Sequence, residues 1–200
     1  MTSFLSRVRS ILQSSDPIET TEEHTVRDFH VVVENTRPDI ETPTVLRRLD
    51  EALGLIETYQ PWRLRHMRRD LSAFLIARYP CRGAFFPDQR VCLAELTFLA
   101  RVDITAAPVA ASILHEGMHA RVHAMCQGGE SRDRAREERL CRQAELEFGL
   151  ALPLSLGAPV VERATASLEL ADAEVAPAVD WAEAQRRQDA IDAEARRQSR

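Results

Sequence analysis

The sequence predicts an α+β fold: a small, mainly antiparallel sheet packed on two consecutive central helices, with further helices towards both ends. Three observations carry that expectation. Residues 28–34, Asp-Phe-His-Val-Val-Val-Glu, form a β-branched run of strand length. Pro87-Asp88-Gln89 lies between the apolar stretches 84–86 and 90–93, which is a hairpin signal. Residues 105–126 and 134–152 repeat apolar side chains at helical spacing.

Composition narrows the function classes. A chain of 200 residues fits one domain, or one domain with an appendage. Hydrophobic residues at 44% are enough for a core, and 28% charged residues argue against wholesale disorder. The net charge of −5 disfavours a general nucleic-acid binder, since phosphates demand a basic surface. All 26 basic residues are Arg, which removes Schiff-base and P-loop lysine mechanisms. No apolar run approaches the length of a membrane span, and Arg7 and Arg9 break the apolar start of the chain. No integral membrane segment and a cytoplasmic location are expected. Cys81, Cys92, Cys126 and Cys141 contain no Cys-x-x-Cys pair. They read as small buried hydrophobes, with a Cys81–Cys92 pair across the hairpin as the alternative.

The elements follow in order. Residues 1–26 read as a flexible N-terminal lead, and the first strand is expected at 28–34. Thr42 serves as a candidate cap for a helix with Pro43 in its first turn, and Val45, Leu46, Leu49, Leu53 and Ile56 continue it to about Tyr59. The Arg-rich stretch 61–69 reads as a solvated face. Residues 71–79 favour a strand, the hairpin follows, and 96–99 read as a short strand. Thr105 caps the helix 105–126, which Gly128-Gly129 stops. Pro153 closes the helix 134–152. Residues 153–176 read as irregular with a helical option at 160–170, and 176–198 as an Ala-rich helix with a weak apolar face of Val179, Ala182 and Ile191. The expected organisation is a lead (1–26), a central domain (27–153) and a C-terminal helical extension (154–200).

Chemistry concentrates at His115-Glu116-Gly117-Met118-His119. Histidines at i and i+4 lie about 40° apart on a helix, so both imidazoles can face one metal ion. Glu116 projects beside them, where a carboxylate can deprotonate a water. Leu114, Met118, Val122 and Met125 form a candidate core stripe, with the histidines on its margin facing a cleft. A catalytic zinc site needs a third protein ligand. His123 is disfavoured because one helix does not easily aim three successive i+4 histidines at one ion. The helix 134–152 offers Glu137, Glu138, Glu145 and Glu147. Glu138 ranks first, then Glu137, then Glu145, and Glu147 is expected in solvent. Leu140, Cys141, Ala144, Phe148 and Leu152 define the expected buried face, with Glu137 nearer its centre than Glu138.

The motif followed by a glutamate helix resembles the gluzincin zinc metallopeptidases, and its compactness resembles the small minigluzincin forms. Val122 and Met125 stand where the metzincin pattern requires Gly and His. The run Glu138-x-x-Cys-x-x-x-Glu-x-x-Phe-x-x-x-Leu-Pro is similar to the second zinc helix of small bacterial His-Glu-x-x-His proteins. The resemblance spans residues 70–153. It implies Zn2+ held by His115, His119 and Glu138, with Glu116 as general base. It also implies a peptide or protein substrate lying along an edge strand. Thermolysin-like members carry an acid four residues after the ligand Glu; this chain has Arg142 there, so Glu145 or Glu137 would take the supporting role. Tyr79, Tyr59, His123 and Arg121 are the candidate oxyanion donors. The rival reading is a non-catalytic zincin-like binding or regulatory module.

Overall fold

The computed structural model describes residues 21–126, 133–176 and 180–198, apart from the side chains of 196 and 198. Strands β1 (Thr21–Val26) and β2 (Phe29–Glu34) form an antiparallel hairpin. Its two turn residues, Arg27 and Asp28, both take positive φ (46° and 67°), the backbone that matches the twist of paired strands. The Arg27 guanidinium ties this turn to Asp50 and Glu57. Residues 21–26 are therefore strand where a flexible lead was expected. β1 is polar and mostly exposed, so its signal lies in the partner strand and not in its own residues. Residues 1–20 of that lead lie outside the described residues.

The sheet order is β1-β2-β3-β5-β4, with β3 at Ala73–Ala77, β4 at Gly83–Phe86 and β5 at Val91–Glu95. β2, β3 and β5 run parallel, and an antiparallel hairpin closes each end. The α+β class holds, with a mixed sheet. The β2–β3 pair is parallel because helices α1 (Thr42–Tyr59) and α2 (Pro61–Asp70) carry the chain back between them, and β5 runs parallel to β3 because the chain first goes out to the edge strand β4. The cap of α1 is Glu41, so Thr42 is its first helical residue. The Arg-rich segment is not simply a solvated face. Leu64 and Met67 are buried, so α2 is amphipathic, and Arg63 reaches Glu147.

Helix α3 (Leu96–Ala100) stands where a short strand was expected. The Glu95 carboxylate accepts the Phe98 N–H, which ends β5 and starts a helix within one residue. Helices α4 (Ala106–Met125) and α5 (Arg134–Ala151) match expectation, capped by Thr105 and Asp133. Gly128-Gly129 lies outside the described residues. Helix α6 (Leu154–Leu168) replaces most of the expected irregular segment, and α7 (Asp172–Val175) follows. Gly157 looks like a breaker in sequence. In the fold, a Cβ there would collide with the Gly149 carbonyl, so the glycine lets α6 press on α5 backbone to backbone.

Helix α8 (Trp181–Gln198) does not pack through the expected apolar face. Val179 lies outside the described residues, and Ala182 and Ile191 are exposed. Gln188 and Asp192 are buried instead, because Asp192 finds Arg37 and Arg78. One sheet face packs the main core, where Val31, Val33, Phe74 and Ile76 meet Leu53 and Leu114. The other face carries a smaller cluster around Val32, Leu75 and Leu93. All four cysteines are free, so the Cys81–Cys92 pair does not form. No described helix is long and apolar enough to cross a membrane.

Candidate metal centre

Helix α4 presses against α2 at Gly117, where a Cβ would lie 2.9 Å from Met67 Cγ. That contact fixes the opposite side of α4, with His115 and Glu116, towards a cleft. The expected core stripe holds in part. Leu114 is buried and Met118 and Val122 are half-buried, while Met125 is exposed because the last turn of α4 faces solvent.

Helix α5 crosses α4 with three glutamates facing it. Glu138 Oε2 lies 3.2 Å from His115 Nε2, and Glu138 Oε1 lies 3.5 Å from His119 Nε2. The two Nε2 atoms approach to 3.2 Å. The remaining ring nitrogens are held from behind. Glu145 Oε1 sits 2.7 Å from His115 Nδ1 and Glu137 Oε1 2.8 Å from His119 Nδ1. Arg142 donates to Glu145 at 2.6 Å. Each imidazole is thus oriented by one carboxylate and turns its Nε2 towards Glu138. Glu147 points away, to Arg63 at 2.5 Å, with its side chain 48% exposed. Leu140, expected on the buried face, is exposed; the face that turns inward is set by Cys141, Ala144, Glu145 and Phe148.

The spacing suits a tetrahedral cation. Zinc–ligand bonds of 2.0–2.1 Å at tetrahedral angles set ligand atoms about 3.3–3.4 Å apart. Cys141 offers a second geometry. His115, His119 and Cys141 present ligand atoms that all lie within 4.8 Å of one another, a cluster able to hold a metal. Burial pushes the Cys141 thiol up from its ordinary value. Burial also opposes charge on His115, but hydrogen bonds to Glu138 and Glu145 and the charge of Glu116 lift its pKa to about 9. Burial works against the charge on Glu138 and Glu145 too, yet His115 outweighs it and both pKa values fall. Burial raises Glu116, with His115 and His119 pulling the other way.

Glu116 abuts the edge strand β4: a Cβ on Gly83 would sit 3.1 Å from its Cγ and Oε1. β4 and the His/Glu cluster line a cleft of about 540 Å³ that Trp181 and Arg163 also border. None of the four expected oxyanion donors lines it. Tyr79 packs on Phe86 and Trp181, Tyr59 lies against the core, His123 meets the Phe85 ring and Arg121 approaches Asp70. Donors that do border it include Ser112, Arg82, Arg134, Arg142 and Arg163. Nothing in a sequence with 26 arginines singles these out. No protein-family model, curated protein or solved structure matches the chain, so the reading of the site rests on its chemistry.

Proposed function

We propose that the chain is a zinc-dependent peptidase in which His115, His119 and Glu138 hold the metal and Glu116 is the general base. The observation that carries this reading is the convergence of both Nε2 atoms and the Glu138 carboxylate, while Glu145 and Glu137 occupy both Nδ1 positions. Imidazole and carboxylate donors at this spacing suit zinc. Zinc, when bound, supplies a Lewis acid that lowers the pKa of water and polarises a carbonyl.

The chain's own residues account for the remaining chemistry. Glu116 is buried and its pKa is raised by burial, so its carboxylate is a stronger base than one in water. It takes a proton from the attacking water and returns it to the leaving amine. β4 lies at the sheet edge and runs past Glu116, so its outer backbone groups can pair with an extended peptide. The low-volume contact at Gly83 keeps the base close to that peptide.

Cys141 favours a second reading, a closed and non-catalytic site. With the thiolate as a further ligand, no position would remain for water. The buried Glu116, which a closed site would not use, weighs against it. Metal analysis of purified protein separates the two. The expected result is about one zinc per chain, lost in His115→Ala and His119→Ala, strongly reduced in Glu138→Ala and kept in Cys141→Ser. Glu116→Gln should keep zinc and lose peptide hydrolysis by about 10²-fold or more. Zinc that depends on Cys141 but survives Glu138→Ala would establish the closed site. Zinc unchanged in both histidine variants would remove the centre.

A further inference from the structure

Guanidinium groups from three elements border the cleft: Arg82 just before β4, the exposed Arg134 and Arg142 on α5, and Arg163 on α6. Arg142 is committed to Glu145. Arg82 lies with its guanidinium carbon 5.2 Å from the Phe98 ring centre, an arrangement that leaves its N–H edge free of carboxylates among the described residues. Arg163 stands apart. It is half-buried, and among the described residues its guanidinium makes no hydrogen bond or ion pair. Burial pushes its pKa down, Glu145 holds it up, and Arg82 and Arg142 add to the fall.

An arginine does not relieve such strain by losing its proton. Stripping water from an unpaired cation costs free energy, and an incoming anion offsets that cost. The planar guanidinium matches a carboxylate with two parallel hydrogen bonds. A singly charged carboxylate also fits better than a doubly charged phosphate, because Glu116, Glu138 and Glu145 line the same cleft. We propose that Arg163, with Arg82 beside it, is an anion subsite that takes a carboxylate of the bound peptide. This rests on the peptidase reading for the identity of the ligand. Both a C-terminal carboxylate and an acidic side chain carry the required chemistry.

Alanine-based peptides test it, with Glu or Gln at each position in turn and with a free or amidated C-terminus. Hydrolysis is measured with zinc-loaded protein, and binding by calorimetry with Glu116→Gln protein. The carboxylate member of one pair should be preferred by about 10–100-fold, the range of a charge-assisted hydrogen bond. A free-over-amide preference identifies the C-terminus as the source; a Glu-over-Gln preference identifies a side chain. Arg163→Met should erase the preference, bringing the carboxylate peptide down to its neutral partner with zinc content unchanged, and Arg163→Lys should restore it in part. Equal losses on all peptides in Arg163→Met would make Arg163 a support for Glu145 and overturn the subsite. Cleavage without any carboxylate preference also overturns it and leaves the peptidase reading intact. Arg163-dependent carboxylate binding without cleavage of any peptide would uphold the subsite and remove the peptidase reading.

Discussion

Two polar clusters are buried in this chain, and they balance charge differently. Where α8 meets the sheet, Asp192 lies 2.9 Å from both Arg37 and Arg78, Arg78 also holds Glu95, and Arg37 holds Asp39 at 2.7 Å. Every carboxylate there has a guanidinium partner within the chain. Between α4 and α5, Glu116, Glu137, Glu138 and Glu145 surround two imidazoles, with Arg142 on Glu145 alone. The first cluster is complete, and it joins a terminal helix to the sheet. In the second only Glu145 has a guanidinium partner, and two imidazoles and Glu138 converge on one point, an arrangement that suits a bound cation. Burial alone therefore does not distinguish the two clusters; what differs is whether each carboxylate finds a guanidinium within the chain.

Breaking the fully paired cluster should have the largest effect. Arg78→Met leaves Asp192 and Glu95 buried with fewer partners. It should lower stability by about 3–5 kcal/mol in denaturant unfolding. Zinc per folded chain should stay unchanged. A loss of zinc with little loss of stability would mean that the two clusters are not distinct in role.

The cluster between α4 and α5 should respond in metal affinity more than in stability. Glu145→Gln and Glu137→Gln each remove a carboxylate that orients one imidazole, and each should weaken zinc binding by about 10–100-fold. Competition with a chromophoric chelator reads that directly. If both variants bind zinc as tightly as the parent, these glutamates neutralise charge without orienting the rings.

The smallest expected effect sharpens the proposed role of Glu116 as the base. Gly83→Ala places a methyl 3.1 Å from the Glu116 carboxylate and 3.3 Å from the Leu93 carbonyl. Displacing the base should cost about tenfold in kcat, the scale of a small positional error in a catalytic group. Zinc content should not change. Full activity in Gly83→Ala would show that Glu116 does not need its contact with β4.

Legibility follows the range of the interactions. The His/Glu motif and helices α1, α4 and α5 are local features, written in residues three, four and seven apart and in their caps. The glutamate helix is only half local. Glu137 and Glu138 differ by about 100° around α5, so a single helical face cannot favour both. Both reach α4 because the two nitrogens of His119 point in different directions. Glu138 takes the Nε2 side and Glu137 the Nδ1 side, a division that periodicity alone does not express. Strand β1, helix α6 and the docking of α8 follow the same logic: each draws its stability from a partner distant in sequence, whether β2, the Gly149 carbonyl or Arg78.

By itself the sequence determined the α+β class, the helix that carries His115, Glu116 and His119, and the following helix with its acidic candidates. Those are consequences of backbone period and capping, which act within a few turns of chain. Tertiary structure alone decided the mixed strand order, the division of labour among Glu137, Glu138 and Glu145, and the unpaired Arg163 in the cleft. The reason is geometric. A side chain's partner depends on the angle and distance at which two elements cross, and these are set by close contacts such as Gly117 on Met67 and Gly157 on Gly149.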